Sequence, residues 1–270
     1  MVADEGAVDL ELDRAHSARM YDYFLGGTTN FPADREGAGR AMAAFPAAMV
    51  AARANRQFMH RSVRHLTRLG MRQFLDVGTG IPTSPNLHEI AQETAPGARV
   101  VYTDNDPIVL AHARALLHSS PEGRTAYAQG DARDPQAVLK TPELHDTLDL
   151  GEPVALSLIA LLHFIPGDRT AHDIVEHFKE ALPSGSTLTI SHVTPDFDPE
   201  TIARVIQSYV ASGTPTQART RAEFTRFFDG WELLDPGVTV THRWRPDAAH
   251  DIYQVTDAEA ACYAAVARKP

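Results

Sequence analysis

Cysteine, lysine and long apolar runs are what this chain of 270 residues has least of. A single cysteine, Cys262, excludes an intrachain disulfide, and it is expected to be a core residue. Without Cys/His clusters at ligand spacing, no structural metal site is expected either. No stretch approaches the roughly 20 apolar residues that span a bilayer. The first residues, Met1–Arg14, have neither the basic start nor the apolar stretch of a secretory signal. They are expected to form a loose tail, and the chain is expected to be cytoplasmic. Only three of the 25 basic side chains are lysines, and the formal charge is -10. That balance makes nucleic acid an unlikely partner, since phosphate backbones are held by clustered positive charge. One stretch goes the other way. Ala47–Gly70 carries Arg53, Arg56, Arg61, Arg64 and Arg68 without an acid, as a basic helix docked on an acidic domain would, or one that meets an anionic partner.

What is present begins to organise at residue 71. Runs at Gln73–Val77, Arg99–Thr103, Thr125–Gln129, Val154–Leu162 and Ser186–Val193 read as strands, with helical stretches between them. Such alternation predicts a doubly wound α/β fold with a mostly parallel sheet covered on both faces. Ser84-Pro85, Asp106-Pro107 and Asp134-Pro135 have the form of a helix cap followed by proline at the first helical position. They would open helices at Asn86–Thr94, Ile108–His118 and Gln136–Lys140, while Asp168 would cap a fourth. Asp198-Pro199 starts a helix to about Val210, and another stretch runs Ala222–Phe228. Two last strands, Glu232–Trp244 interrupted at Asp235-Pro236-Gly237 and Cys262–Ala267, would close the sheet as an antiparallel hairpin, giving seven strands. Helices at Ser17–Leu25 and Ala47–Leu69 precede the sheet. The expected division is therefore a tail (1–14), a helical cap or lid (15–70) and a sheet domain (71–270).

The strongest local signal is Gln73-Phe74-Leu75-Asp76-Val77-Gly78-Thr79-Gly80, a strand ending in an acid and then a glycine turn. Glycines there admit a ligand close to the backbone or supply positive φ. A dinucleotide fingerprint would need its third glycine at Thr83, and a diphosphate would suit a loop carrying Pro82 and Pro85 poorly. An acid directly before the glycines suits a cationic amino group better. Asp104 ends the next strand, where a carboxylate can accept both hydroxyls of a ribose; Asp106 reads as a helix cap. Asp131, in Gln129-Gly130-Asp131-Ala132, ends the third, where it can accept from an exocyclic amino group. Three acids at the carboxyl ends of successive parallel strands converge on the crevice where such sheets bind ligands.

These words resemble the successive motifs of class I S-adenosylmethionine-dependent methyltransferases. The whole chain is similar to an actinobacterial family of S-adenosyl methyltransferases, through Ala18–Gly27, Asn30–Arg35, Gln73–Pro82, Asp104–Leu110 and Gly230–Leu233. The resemblance implies a Rossmann-like sheet that binds S-adenosylmethionine and releases S-adenosylhomocysteine. It would place Gly78, Thr79 and Gly80 on the methionine portion, Asp76 beside them, and Asp104 with Asn105 on the ribose. Gly130, Asp131 and Ala132 would meet the adenine, and Leu158, Ile159 and Ala160 the reactive end. Leu161–Pro166 is similar to a Leu-His-His-Leu word of small-molecule methyltransferases, whereas the Asn-Pro-Pro-Tyr word of amino-directed nucleic-acid enzymes is missing.

Two catalytic candidates follow. His163 could take the proton released by a hydroxyl or amine acceptor, or be a structural histidine. In Arg19–Arg35 a helix ending at Gly26-Gly27, followed by an aromatic loop, would make a lid that excludes water, with Arg19 pairing the methionine carboxylate and Tyr21 shaping the acceptor pocket. The leading expectation is an enzyme that methylates a small molecule at O or N. A noncatalytic S-adenosylmethionine-binding regulator and an NAD-dependent oxidoreductase are the alternatives, and oligomeric state is open.

Overall fold

The computed structural model of this protein describes residues 12–116, 119–247 and 255–270. The tail expected over Met1–Arg14 lies, as far as residue 11, outside the described residues, as do the last two positions of the helix expected to reach His118. Three helices come first: α1 Ser17–Leu25, α2 Pro32–Ala44 and α3 Ala48–Arg68. Then β1 Gln73–Val77, α4 Leu87–Thr94, β2 Arg99–Asp104, α5 Pro107–Leu116 and β3 Arg124–Gln129 alternate. Two short helices, α6 Pro135–Leu139 and α7 Pro142–Thr147, lead to β4 Ala155–Ile159, α8 Asp168–Ala181 and β5 Thr187–Val193. The rest comprises α9 Pro199–Ala211, α10 Arg221–Thr225, β6 Glu232–Leu233, β7 Thr239–Val240, α11 Asp257–Ala260 and β8 Cys262–Arg268.

The sheet order is β3-β2-β1-β4-β5-β8-β6, with β7 also on β8. Strands β1 to β5 run parallel, and β8 lies antiparallel to β5, β6 and β7. The chain builds outward from β1 to β3 and then returns to place β4 on the other side of β1. At that reversal the helices leave opposite faces and open a crevice beyond the strand ends.

Alternation decides the two faces, because successive strand residues point to opposite sides. On β1, Leu75 and Val77 enter one core with Leu156, Leu158, Leu188, Ile190 and Phe178 of α8. Phe74 enters the other with Val100, Tyr102 and Phe58, Met59, Val63 and Leu66 of α3. Each such large apolar side chain contributes about 1.5–3 kcal/mol on burial. A third cluster, Met20, Phe24, Ala38, Ala41, Ala48 and Ala52, holds α1, α2 and the start of α3 together. The basic face of α3 is largely absorbed in docking. Arg61 donates to the carbonyls of Trp244 and Thr241 at 2.8 and 2.7 Å, Arg56 to those of Thr83 and Pro85, and Arg64 pairs with Asp247.

Several boundaries differ from the sequence reading, each for a local reason. The aromatic loop expected after Gly26-Gly27, as far as Arg35, ends at Phe31, and Pro32–Ala44 is a helix. Pro32 stands at its first turn, Asp34 accepts from the Phe31 N–H at 2.8 Å, and a Cβ on Gly37 would meet Met20 and Ala15 at 3.1 and 3.2 Å, so glycine there lets α2 approach α1. Ser84 does not cap α4; Asn86 does, in a reciprocal pair with Glu89. Gly167 with φ 90° precedes α8, leaving the Asp168 carboxylate for Arg219. The strand expected to reach Leu162 stops at Ile159, and α7 was not anticipated. The expected hairpin arm Glu232–Trp244 is reduced to β6 and β7, two residues each, after which a 3-10 turn buries Trp244 against Phe58 of α3.

Candidate active site

The turn after β1 is set by its glycines. Gly78 and Gly80 have φ of 75° and 69°, the left-handed region that costs other residues free energy. The Gly78 and Thr79 N–H groups both donate to the Thr103 carbonyl, at 2.8 and 3.1 Å, which ties the turn to the end of β2. The two glycines do different work. A Cβ at Gly78 would lie 2.6 Å from Leu161, whereas at Gly80 it would meet only Ala18, at 4.0 Å, across open cavity. Gly80 thus leaves room for a ligand against the backbone. Gly130 is a packing glycine, since a Cβ there would collide with Val138 at 2.8 Å.

The carboxylates of Asp76, Asp104 and Asp131 line one cavity of about 500 Å³, together with Gly78, Thr79, Gly80, Asn105, Gly130, Ala132, Ile159 and Ala160. Asp104 is buried; its Oδ2 accepts from Gly80 N–H at 2.8 Å and its Oδ1 from Asp106 N–H at 2.9 Å, stapling the turns after β1 and β2. Burial raises its pKa against those two N–H bonds. Burial likewise pushes Asp76 up to about 6, although the Thr79 hydroxyl donates to it and Arg56 lies nearby. A cation arriving beside these two acids would restore their charged forms. Asp131 differs. Partial burial works to raise it, but bonds from Arg133 at 2.7 and 3.0 Å hold it below the ordinary value.

Beyond β4 the chain turns at Ala160, whose φ of 53° is unusual for a residue with a Cβ. Its N–H is held by the Ser191 hydroxyl at 3.0 Å. A 3-10 turn, Leu162–Phe164, then brings His163 to the cavity wall. Burial, reinforced by the charge of Arg219, lowers this imidazole to about 3, and its Nδ1 is sealed without a partner. A histidine so desolvated stays neutral at physiological pH and is a weak proton acceptor. That argues against His163 as a titrating base.

Arg219 was not singled out from the sequence, because it sits in an irregular segment with no motif around it. It is fully buried and donates to the carbonyls of Leu162, Ile165 and Gly167, and to the carboxylate of Asp168 at 3.2 Å. It also donates to His192 Nε2 at 2.8 Å, while His192 Nδ1 lies 2.7 Å from the Val193 carbonyl. One tautomer satisfies both contacts, with the proton on Nδ1. Burial first, and then the neighbouring His163 and Arg219, push His192 well below its ordinary pKa. The segment 162–168 is therefore pinned from beneath by a single guanidinium.

The N-terminal helices close the cavity from the other side. Arg19 lines it, but its Nε donates to Asp106 at 2.9 Å and the pair is buried. Asp106 therefore does more than cap α5, where its Oδ1 accepts from Ile108 N–H. Tyr21 also lines the cavity, with its hydroxyl committed: it donates to the Ala52 carbonyl at 3.1 Å and accepts from Asn55 at 2.9 Å. Burial pushes this phenol up to about 12, which leaves it no acid–base role near neutrality. Cys262, expected in the core, lies on the same wall and is pushed up to about 12 by burial. Two helix faces were missed as lining: Ala48, Ala51, Ala52 and Asn55 on α3, and Ile202, Val205, Ile206 and Tyr209 on α9. Each is an i, i+3, i+4, i+7 stripe. Among the described residues no group of three His, Cys, Asp or Glu is placed to hold a metal ion, and no helix is long and apolar enough to cross a membrane.

Comparison with known proteins agrees with this geometry. A crystal structure of a DUF574 family protein from Streptomyces avermitilis is 51% identical, with a TM-score of 0.94 over 97% of this chain and 100% of that one. A candidate methyltransferase from Thermobifida fusca is 37% identical, with a TM-score of 0.89 over 96% and 97%. An O-methyltransferase family protein from Burkholderia thailandensis, 14% identical with a TM-score of 0.53 over 79% of this chain and 55% of that one, shares the fold alone. No curated protein matches. The S-adenosyl methyltransferase family model matches residues 3–270, and with the closely superposing actinobacterial structures it establishes that this chain belongs to that family of S-adenosylmethionine-dependent methyltransferases.

Proposed function

We propose that the strand-end rim of the cavity holds S-adenosylmethionine and that the methyl group passes to a small molecule bound under the helical cap. The observation that carries this is the convergence of Asp76, Asp104 and Asp131 on one cavity where Gly80 leaves its backbone open. In this reading Asp76 and the Gly78–Gly80 turn take the amino-acid portion, with Arg19 at the same end. Asp104 and Asn105 take the ribose. Asp131 and Ala132 take the adenine edge, with Gly130 fixing their turn on Val138. Ile159 and Ala160 bound the end at which transfer occurs.

When bound, the cofactor would supply a methyl group made electrophilic by the sulfonium, the S–CH3 bond breaking as the acceptor's O–CH3 or N–CH3 bond forms and the acceptor's proton leaving to solvent. The protein's share is then placement and exclusion of water. His163 stays neutral and shapes the wall beside the acceptor, and Tyr21 holds α1 against α3. The helices of residues 15–70 act as the cap over the cleft.

Calorimetric titration with S-adenosylmethionine, S-adenosylhomocysteine and NAD tests the assignment. Binding of the first two, weakened in Asp104→Ala, is expected; tighter binding of NAD would overturn it. Release of S-adenosylhomocysteine with candidate acceptors separates an enzyme from a noncatalytic binder.

A further inference from the structure

Away from the strand ends the cavity changes character. Its three lining carboxylates all stand at the carboxyl ends of β1, β2 and β3. Its arginines are accounted for at that end or at the rim. Arg19 is paired with Asp106, Arg133 with Asp131, and Arg56 donates to the carbonyls of Thr83 and Pro85, while Arg14 is an exposed residue of the rim.

What remains is a lobe walled by the α3 and α9 stripes, closed by Phe45 and Phe164. Neither stripe contains a charged residue. The α3 stripe is small, three alanines in four positions, and the α9 stripe is bulky. Val205, Ile206 and Tyr209 are only half-buried although they lie on the apolar face of the helix, because all three line the cavity, with Tyr209 also packed against the cluster of α1, α2 and α3. The Phe164 and Tyr209 rings are 5.6 Å apart, and Tyr21 and His163 add two further ring surfaces. Of the polar groups nearest the lobe, the Tyr21 hydroxyl holds Ala52 and Asn55 and the Asn55 amide N–H donates to Tyr21, while Asn55 Oδ1 and His163 Nδ1 are buried without a partner and carry no positive charge to offset an anion.

An ionised substituent placed here would lose its water, and the guanidiniums whose charge reaches Tyr21 and His163, Arg56 and Arg219, are already bonded to carbonyls and to Asp168, which disfavours it strongly. A flat, uncharged ring would gain both apolar burial and ring contacts. We propose that the methyl acceptor is an uncharged, planar aromatic molecule, a phenol or aromatic amine, bound between the α3 and α9 stripes with its nucleophilic atom toward Ala160 and His163. This rests on the cavity being the transfer site, as proposed above.

The test uses the full chain saturated with S-adenosylhomocysteine and two probes that share one ring system, 2-naphthol and ionised 6-hydroxy-2-naphthoate. Calorimetry is expected to show the naphthol binding at least about tenfold more tightly, since only the carboxylate must be buried unpaired. Ile206→Lys sets a cation in the lobe and is expected to reduce or reverse that preference. Equal or tighter binding of the naphthoate by the unaltered chain, binding of neither probe, or an unchanged preference in Ile206→Lys would each overturn the proposal. Failure of S-adenosylhomocysteine itself to bind would instead remove the cofactor assignment, and the two probes titrated against the ligand-free chain would still decide the character of the lobe.

Discussion

At one end of the cavity the wall is made of strand termini, and at the other of helix faces. Around Asp76, Asp104 and Asp131 nearly every polar atom is tied to a neighbour a few residues away or on the next strand, so the groups are fixed by the sheet itself. Around the α3 and α9 stripes the wall is side-chain surface, held by how α2 packs on α1 and α9. The first arrangement suits a ligand whose contacts are fixed, because it leaves few ways to vary. The second can be reshaped by single substitutions, which is where acceptor choice would reside.

The largest test of this contrast lies between the two ends. Arg219→Ala removes the donor shared by three carbonyls, Asp168 and His192; the Leu162 and Gly167 carbonyls keep the N–H groups of Ile165 and Ala171, but the Ile165 carbonyl and His192 Nε2 lose their donor inside the protein. The substitution is expected to cost about 3 kcal/mol or more, read as a lower midpoint in denaturant unfolding. A neutral result would mean that the turn carrying His163 does not depend on its support.

Next, Asp104→Ala is expected to weaken S-adenosylhomocysteine by roughly 100-fold, about 2–3 kcal/mol for a lost charged hydrogen-bonding group. Ile206→Lys, on the helical end, should leave that affinity within about twofold, the small effect usual for a change outside the contacted set. If both variants weakened the cofactor alike, the two ends would not be separable.

The pH dependence is smaller and has opposite signs for stability and binding. Burial raises Asp76 to about 6 in the folded chain, so the folded state takes up its proton before the unfolded chain does. The ligand-free protein therefore gains stability from this group as pH falls from above 6 toward 4. A ligand carrying an ammonium group needs the carboxylate ionised, so its affinity should fall by up to about tenfold per unit below pH 6. Asp76→Asn should flatten both trends. The smallest effect is expected from Ala160→Gly, which relieves the left-handed backbone at that turn and should change stability by less than about 1 kcal/mol in the favourable direction, as measured by thermal unfolding.

The same contrast governs what could be read from the sequence. Short apolar or β-branched strand runs, aspartate caps before Pro107, Pro135 and Pro199, and the acid-glycine turn after β1 are local signals, and the parallel sheet and its rim follow from them. The α2 helix was hidden because Gly37 and Gly39 outweighed the Pro32 and Asp34 start signal; only its tertiary contact with Met20 explains a glycine there. The α9 helix is legible from its Asp198-Pro199 start, but a helix signal does not say whether one of its faces meets protein or a cavity. Arg219 gave no signal at all, since its partners come from residues 162–168 and from His192, far along the chain.

One carboxylate ties the cap to the sheet. Asp106 starts α5 through the Ile108 N–H and receives the Arg19 guanidinium from α1, both partners out of contact with water. Lifting α1 away would separate two desolvated ions, a step that costs several kcal/mol. Exchange of ligands by swinging the whole cap is thus the expensive route.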